Sequence, residues 1–228
     1  MPASLFSSDD KTYDVNEKVT VDGRVSWPSA RHSFTVVGSK RIITTNDLPS
    51  HTTGVFPIAS TDAAYQDDRN PNHIAPQNIS NTVPAHPAYG APQCMGGVVG
   101  VMTTGVLLFN GSDAGGRDAG AWEVQDHCDA HPDEQSVYHY HTLSRCIGNR
   151  SVHHVIGWAL DGFPITGPNV KGAGDQLTTA NLDVCHGITS EVNIDGKPVT
   201  TYHYVMTADF PYSMSCFRGT PVTTGPPA

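Results

Sequence analysis

The chain has 228 residues, 38% apolar and 15% charged, with 22 glycines and 17 prolines. Against about 25% charge in an average soluble domain, that balance excludes a coiled coil and favours a loop-rich β protein. A formal net charge of −9 argues against non-specific binding to nucleic acid or anionic membrane, and no apolar run reaches the roughly 18 residues of a membrane span.

No internal repeat is evident, and the length fits a single domain over residues 1–228. In chain order, residues 18–26 read as two short strands around Asp22-Gly23. Residues 33–37 and 41–45 read as strands flanking Gly38-Ser39. Residues 46–95 lack periodicity and carry Pro49, Pro57, Pro71, Pro76, Pro84, Pro87 and Pro92, which suggests a long ordered wrapping loop. Residues 97–110 form an apolar run closed by Asn110-Gly111, expected to be one buried strand and a turn. Three further strands are expected at 137–143, 153–160 and 200–207, and short helices only at 119–127 and 177–185. The tail 221–228 is expected to be disordered. The fold class is therefore mostly β, a sandwich or barrel-like arrangement with long Pro/Gly-rich loops.

Histidine carries the chemistry. Eight of the 12 fall between His127 and His203. On a strand, Tyr138-His139-Tyr140-His141 would send His139 and His141 to one face and the tyrosines to the other. Two neutral imidazoles so placed can share one ion, and a third can come from Tyr202-His203-Tyr204 if the two strands lie side by side. The plainer alternative is a half-buried strand whose rings bond to carbonyls and water. His127, His131, His153 and His154 lie nearby in sequence, whereas His73 and His86 read as surface residues.

Cys128 and Cys146 bracket the Tyr/His strand, and a bridge there would be worth about 3 kcal/mol. Cys185 with Cys216 would make a second bridge and leave Cys94 odd, although five cysteines allow other pairings. Cysteine usage and the sequons at Asn78, Asn110 and Asn149 favour an exported protein, secreted or periplasmic. Since MPASLFSSDD carries no signal, its signal peptide would be missing from this sequence, and a cytoplasmic protein is the alternative. Asp161 follows an apolar strand and opens Asp-Gly-Phe-Pro, which suits either a displayed functional carboxylate or simple turn chemistry. Asp126, Asp129, Asp133 and Glu134 surround His127 and His131 and read as imidazole-orienting acceptors or as solvated charge.

These elements together resemble the YHYH domain family over roughly residues 35–220. They run through 46–51, 53–57, 113–114 and 118–119 to Asp126-His-Cys-Asp-Ala-His-Pro132 and the tetrad with Cys146. Beyond it come 156–168, Leu182-Asp183 with Cys185, Tyr202-His-Tyr204, Pro211-Tyr212 and Cys216-Phe-Arg-Gly219. Here Cys128-Asp-Ala-His-Pro132 replaces the family's Cys-x-Gly-His-Pro, and Thr166 stands where it has a tyrosine. The resemblance implies export and two bridges, and it promotes His51 and His131, which sit inside matched motifs.

The leading expectation is an exported metalloprotein, with enzyme chemistry favoured. It would hold one copper or zinc ion, with ligands from His139, His141, His203, His131 and His51. A second reading needs no metal: His139 or His203 with Tyr140 and Asp161 would act as acid and base in an isomerase or cyclase. A third is a binding module for a small molecule or surface polymer, with Trp122, Trp158 and Tyr212 as its face.

Overall fold

The computed structural model describes residues 19–223. Its strands are β1 (His32–Val37), β2 (Lys40–Thr45), β3 (Ile79–Pro84), β4 (Val98–Met102), β5 (Leu107–Phe109), β6 (Ala130–Pro132), β7 (Tyr138–Tyr140), β8 (Val155–Ala159), β9 (Pro164–Thr166), β10 (Gly187–Ile194) and β11 (Lys197–Val205). One helical turn, α1 (Ala119–Trp122), and two 3-10 turns at Ala63–Gln66 and Thr179–Asn181 complete the regular structure of these residues. The fold is mostly β, as expected, and built as two sheets with no closed barrel. No helix of the described residues is long and apolar enough to cross a membrane.

β1, β2 and β3 form a small antiparallel sheet, and the other eight strands form a large one in the order β10-β11-β9-β8-β4-β5-β7-β6. Side chains alternate along each strand, so the large sheet carries two apolar surfaces. One buries Leu108, Tyr138, Tyr140, Ile156, Ile165, Tyr202 and Tyr204. The other packs Val101, Leu107, Val137 and Trp158 against Ile43 and Val83 of the small sheet. Arg41 of β2, 2% exposed, lies 3.5 Å above the Trp158 ring and pairs with Asp195 in the β10–β11 turn.

Several expectations are corrected. Val21 and Val25 do not pair with each other across Asp22-Gly23; they bridge to Asp126 and Thr53, and Lys18 lies outside the described residues. The Pro-rich stretch contains β3, whose every residue pairs with β2. Residues 97–110 are two strands, because Gly105 at φ +90° turns the chain back on itself. The expected helices shrink to the single turn α1 and the 3-10 turn at Thr179–Asn181. In the expected tail, Val222 donates its amide to the Leu160 carbonyl and packs against the core; residues 224–228 lie outside the described part.

The largest correction concerns repeats. The large sheet is one four-strand unit used twice. β4 pairs with β5 as Val98↔Phe109 and Gly100↔Leu108, with a bulge between. β8 pairs with β9 as Val155↔Thr166 and Gly157↔Ile165, with its bulge in the same place, every position shifted by 57. Leu108 then meets Tyr140 in parallel register, and Ile165 meets Tyr204. At the centre Gly100↔Ala159, Val101↔Trp158 and Met102↔Gly157 form a self-complementary antiparallel seam. The two units therefore face each other across a pseudo-twofold axis.

Candidate functional site

The first unit closes on the β6–β7 hairpin. Asp126 accepts the Cys128 amide at 2.8 Å, Asp129 takes a left-handed turn at φ +59°, and β6 begins at once. Aspartate tolerates that conformation better than most residues. The Cys128–Cys146 bridge and the Arg145–Asp129 ion pair at 2.8 Å pin this entry. Across the hairpin turn, Asp133 Oδ1 accepts the amides of Gln135 and Val137. Asp47, fully buried, accepts the Leu107 amide at 2.9 Å and the Tyr138 amide at 3.0 Å, so one carboxylate ties β5 to β7. Burial pushes the Asp47 carboxyl well above its usual range.

This frame brings three imidazoles together. His131 stands directly opposite His139 in the antiparallel register, and His141 follows on the same face. One ring nitrogen from each lies within 4.8 Å of the others, and all three residues are buried. His139 Nδ1 donates to the Val137 carbonyl at 3.0 Å, and His141 Nδ1 donates to the Asn110 carbonyl at 2.5 Å. A carbonyl oxygen only accepts, so both rings carry a hydrogen on Nδ1, and burial, which lowers both rings below their ordinary pKa, favours the neutral form with a bare Nε2. Those two Nε2 atoms face each other at 3.0 Å. The Nδ1 of His131, 7% exposed, has no hydrogen-bond partner among the described residues.

Glu123, immediately after α1, completes the cluster. Its Oε2 lies 3.2 Å from Nε2 of both His131 and His141. The small residues Ala119, Gly120 and Ala121 let the turn bury itself, and Asp118 caps it by accepting the Ala121 amide. The Phe109 ring stacks on His139 with centroids 4.0 Å apart and fixes its plane. Burial holds the His139 ring well below its ordinary pKa, reinforced by the neighbouring imidazoles. Burial also lowers His141, against the pull of Glu123. For Glu123 burial acts upward, but contact with His131 and the charges of His131 and His141 bring its carboxyl below the usual value.

Of the five expected metal ligands, three meet. His203 does not join them, because β11 lies between β10 and β9, five strands from β7. There its Nδ1 bonds Thr166 Oγ1 at 2.9 Å and its Nε2 bonds Ser190 Oγ at 2.8 Å. His51 sits on the tyrosine side of β7, where its Nε2 bonds the Tyr140 hydroxyl and its Nδ1 donates to the Thr52 carbonyl. The acid–base trio also disperses. Tyr140 faces away from His139, and Asp161 sits in the β8–β9 turn, accepting from Tyr204 Oη, the Gly219 amide and the Phe163 amide. Nor do the aromatic residues share a face: Trp158 lies under Arg41, Tyr212 is buried with its hydroxyl on Asp118, and Trp122 is an exposed ring beneath Arg117.

Sequence reasoning missed Glu123, Asp47, Phe109 and the Asn110 carbonyl. Ending the short helix at Trp122 would have singled out Glu123, since Asp118 is a ready cap one turn earlier. Asp47 and Asn110 act through pairings far away in sequence and left no local signal.

Among known proteins, a family model described as YHYH protein matches residues 80–178. The match spans the triad, Glu123 and the Cys128–Cys146 bridge, and stops short of β10. No curated protein and no solved structure matches the chain.

Proposed function

Taking residues 80–178 as a domain of the YHYH protein family, we propose that this chain is an exported metalloprotein whose centre is one zinc or copper ion. His131, His139 and His141 hold it, with Glu123 alongside. The observation that carries the reading is the pair of fixed tautomers. Val137 and Asn110 hold the Nδ1 hydrogens, so two buried lone pairs point at each other and call for a cation between them. Backbone carbonyls that orient imidazoles in this way are a usual support of metal ligands. Three imidazoles suit zinc or copper and leave a position open.

When bound, the ion supplies a polarised water, or electron transfer if it is copper. The chain does the rest. Phe109 holds the His139 plane and keeps bulk water off one side. Glu123, its carboxyl 3.2 Å from the Nε2 atoms of His131 and His141, would serve as a proton acceptor beside the ion. Export is supported by the two disulfides, Cys128–Cys146 and Cys185–Cys216, which persist in oxidising compartments.

The test is elemental analysis by plasma mass spectrometry on full-length protein purified without a His-tag, beside a His139→Ala/His141→Ala double variant. About one equivalent of zinc or copper in the wild type, absent in the variant, is expected. No stoichiometric metal after reconstitution overturns the reading.

A further inference from the structure

A cavity of about 690 Å³ opens on the same face of the large sheet as the triad. It falls within the roughly 300–1,000 Å³ of small-molecule sites. Leu107, Phe109 and Val137 form its floor, and Ile79, Phe217 and Val222 are among its walls. Cavity and triad share a partition. The Phe109 ring that lines the cavity stacks at 4.0 Å on His139, and Val137, which also lines it, holds the His139 Nδ1 hydrogen through its carbonyl.

The lining also fixes the charge of an occupant. Among the described residues that line the cavity, Asp133 is the one charged residue, with Gln135 beside it, and none is cationic. A carboxylate or phosphate would be desolvated there against a carboxylate, whereas a neutral or cationic hydrogen-bond donor would be met.

We propose that this cavity is the substrate chamber of the metal centre, built for a small apolar molecule bearing a neutral or cationic donor, with Phe109 as the partition between chamber and ligands. The substrate role rests on the metal reading above; the chamber itself does not.

Two fluorescent probes with the same ring system separate the possibilities: N-phenyl-1-naphthylamine, a neutral donor, and 8-anilino-1-naphthalenesulfonate, its sulfonated counterpart. Full-length protein should bind the neutral probe at least tenfold more tightly. Gly96 lines the cavity, and a Cβ added there meets nothing within 4 Å. Gly96→Trp should therefore fill the space without disturbing the fold, weakening the neutral probe at least tenfold while metal content stays unchanged. Saturating neutral probe should also shift the visible spectrum of cobalt-substituted protein, and that shift should vanish in Gly96→Trp. Equal affinity for both probes, or indifference to Gly96→Trp, overturns the chamber. Tight neutral binding with an unmoved cobalt spectrum overturns the link to the metal. Should the protein hold no metal, the substrate role falls with the metal reading. The chamber is then judged on the full-length protein and Gly96→Trp by probe preference alone.

Discussion

The hairpins at the two ends of the large sheet follow one plan and carry different chemistry. Asp126 and Asp183 each open an Asp-x-Cys turn by accepting the cysteine amide. A left-handed residue follows in both, Asp129 and His186, and then the strand. Tyr138 donates its hydroxyl to Asp126 at 2.8 Å, and Tyr202 to Asp183 at 2.9 Å. The next tyrosines, Tyr140 and Tyr204, reach the inner turns at Thr104 and Asp161. A disulfide fastens each end. Against this shared frame, His131, His139 and His141 correspond to Ile188, His203 and Val205, and the stacking Phe109 corresponds to Thr166. The scaffold is thus separable from the site: both halves keep the tyrosine–carboxylate frame, and one half has the three-imidazole cluster.

The sharpest way to break the comparison is to remove the matched histidines. His139→Ala should abolish metal retention, whereas His203→Ala should leave about one equivalent in plasma mass spectrometry; equal loss would mean the halves are not divided in this way. The bridges come next. Loop closure over separations of 18 and 31 residues is worth about 3 and about 4 kcal/mol. Removing Cys185–Cys216 should therefore lower the urea midpoint more, and removing Cys128–Cys146 should weaken metal retention more.

Acid offers a comparable effect, which the His203 variant isolates to the second half. Burial lowers His203 from 6.5 to about 4, and nearby His153 adds to the shift. The unfolded chain takes this proton near 6.5 and the folded chain only near 4. Stability attached to His203 is therefore complete above about 6.5 and lost as the pH falls through about 4. The difference in unfolding free energy between wild type and His203→Gln should shift against the wild type by about 3 kcal/mol from pH 7 to pH 3.5. The smallest contrast is between the tyrosines. Asp183 keeps Arg218 at 2.6 Å when its tyrosine goes, while among the described residues Asp126, fully buried, keeps only the Gly54 and Cys128 amides. Tyr138→Phe should cost about 2 kcal/mol in chemical denaturation and Tyr202→Phe about 1.

The strand alternation that set His139 and His141 apart from the tyrosines was legible, because it depends only on local period. The duplication was not. Over the matched segments 98–130 and 155–187 only seven positions are identical, among them Gly100/Gly157, Gly105/Gly162 and Cys128/Cys185. The spacing then jumps from 57 to 64 because β10–β11 is a longer hairpin than β6–β7. What persisted are the residues backbone geometry demands: Gly105 and Gly162 turn at φ +90° and +92°. His203 was misread for the same reason: Tyr-His-Tyr is the frame's signature, repeated wherever the frame is, and says nothing of whether two copies adjoin.

The carboxylate of Asp47 has a bearing on the order of assembly. It stands 91 positions before Tyr138, yet it supplies two rungs to a β5–β7 pairing only two residues long. The strand that carries His139 therefore reaches its final position only after a distant segment has returned to dock, a step of high loop-closure cost. A chain cut between Asp47 and β5 would present its histidines as scattered donors rather than a preformed cluster. On the metal reading proposed above, loading would follow this docking, and an ion in the finished protein would report the compartment in which folding ended.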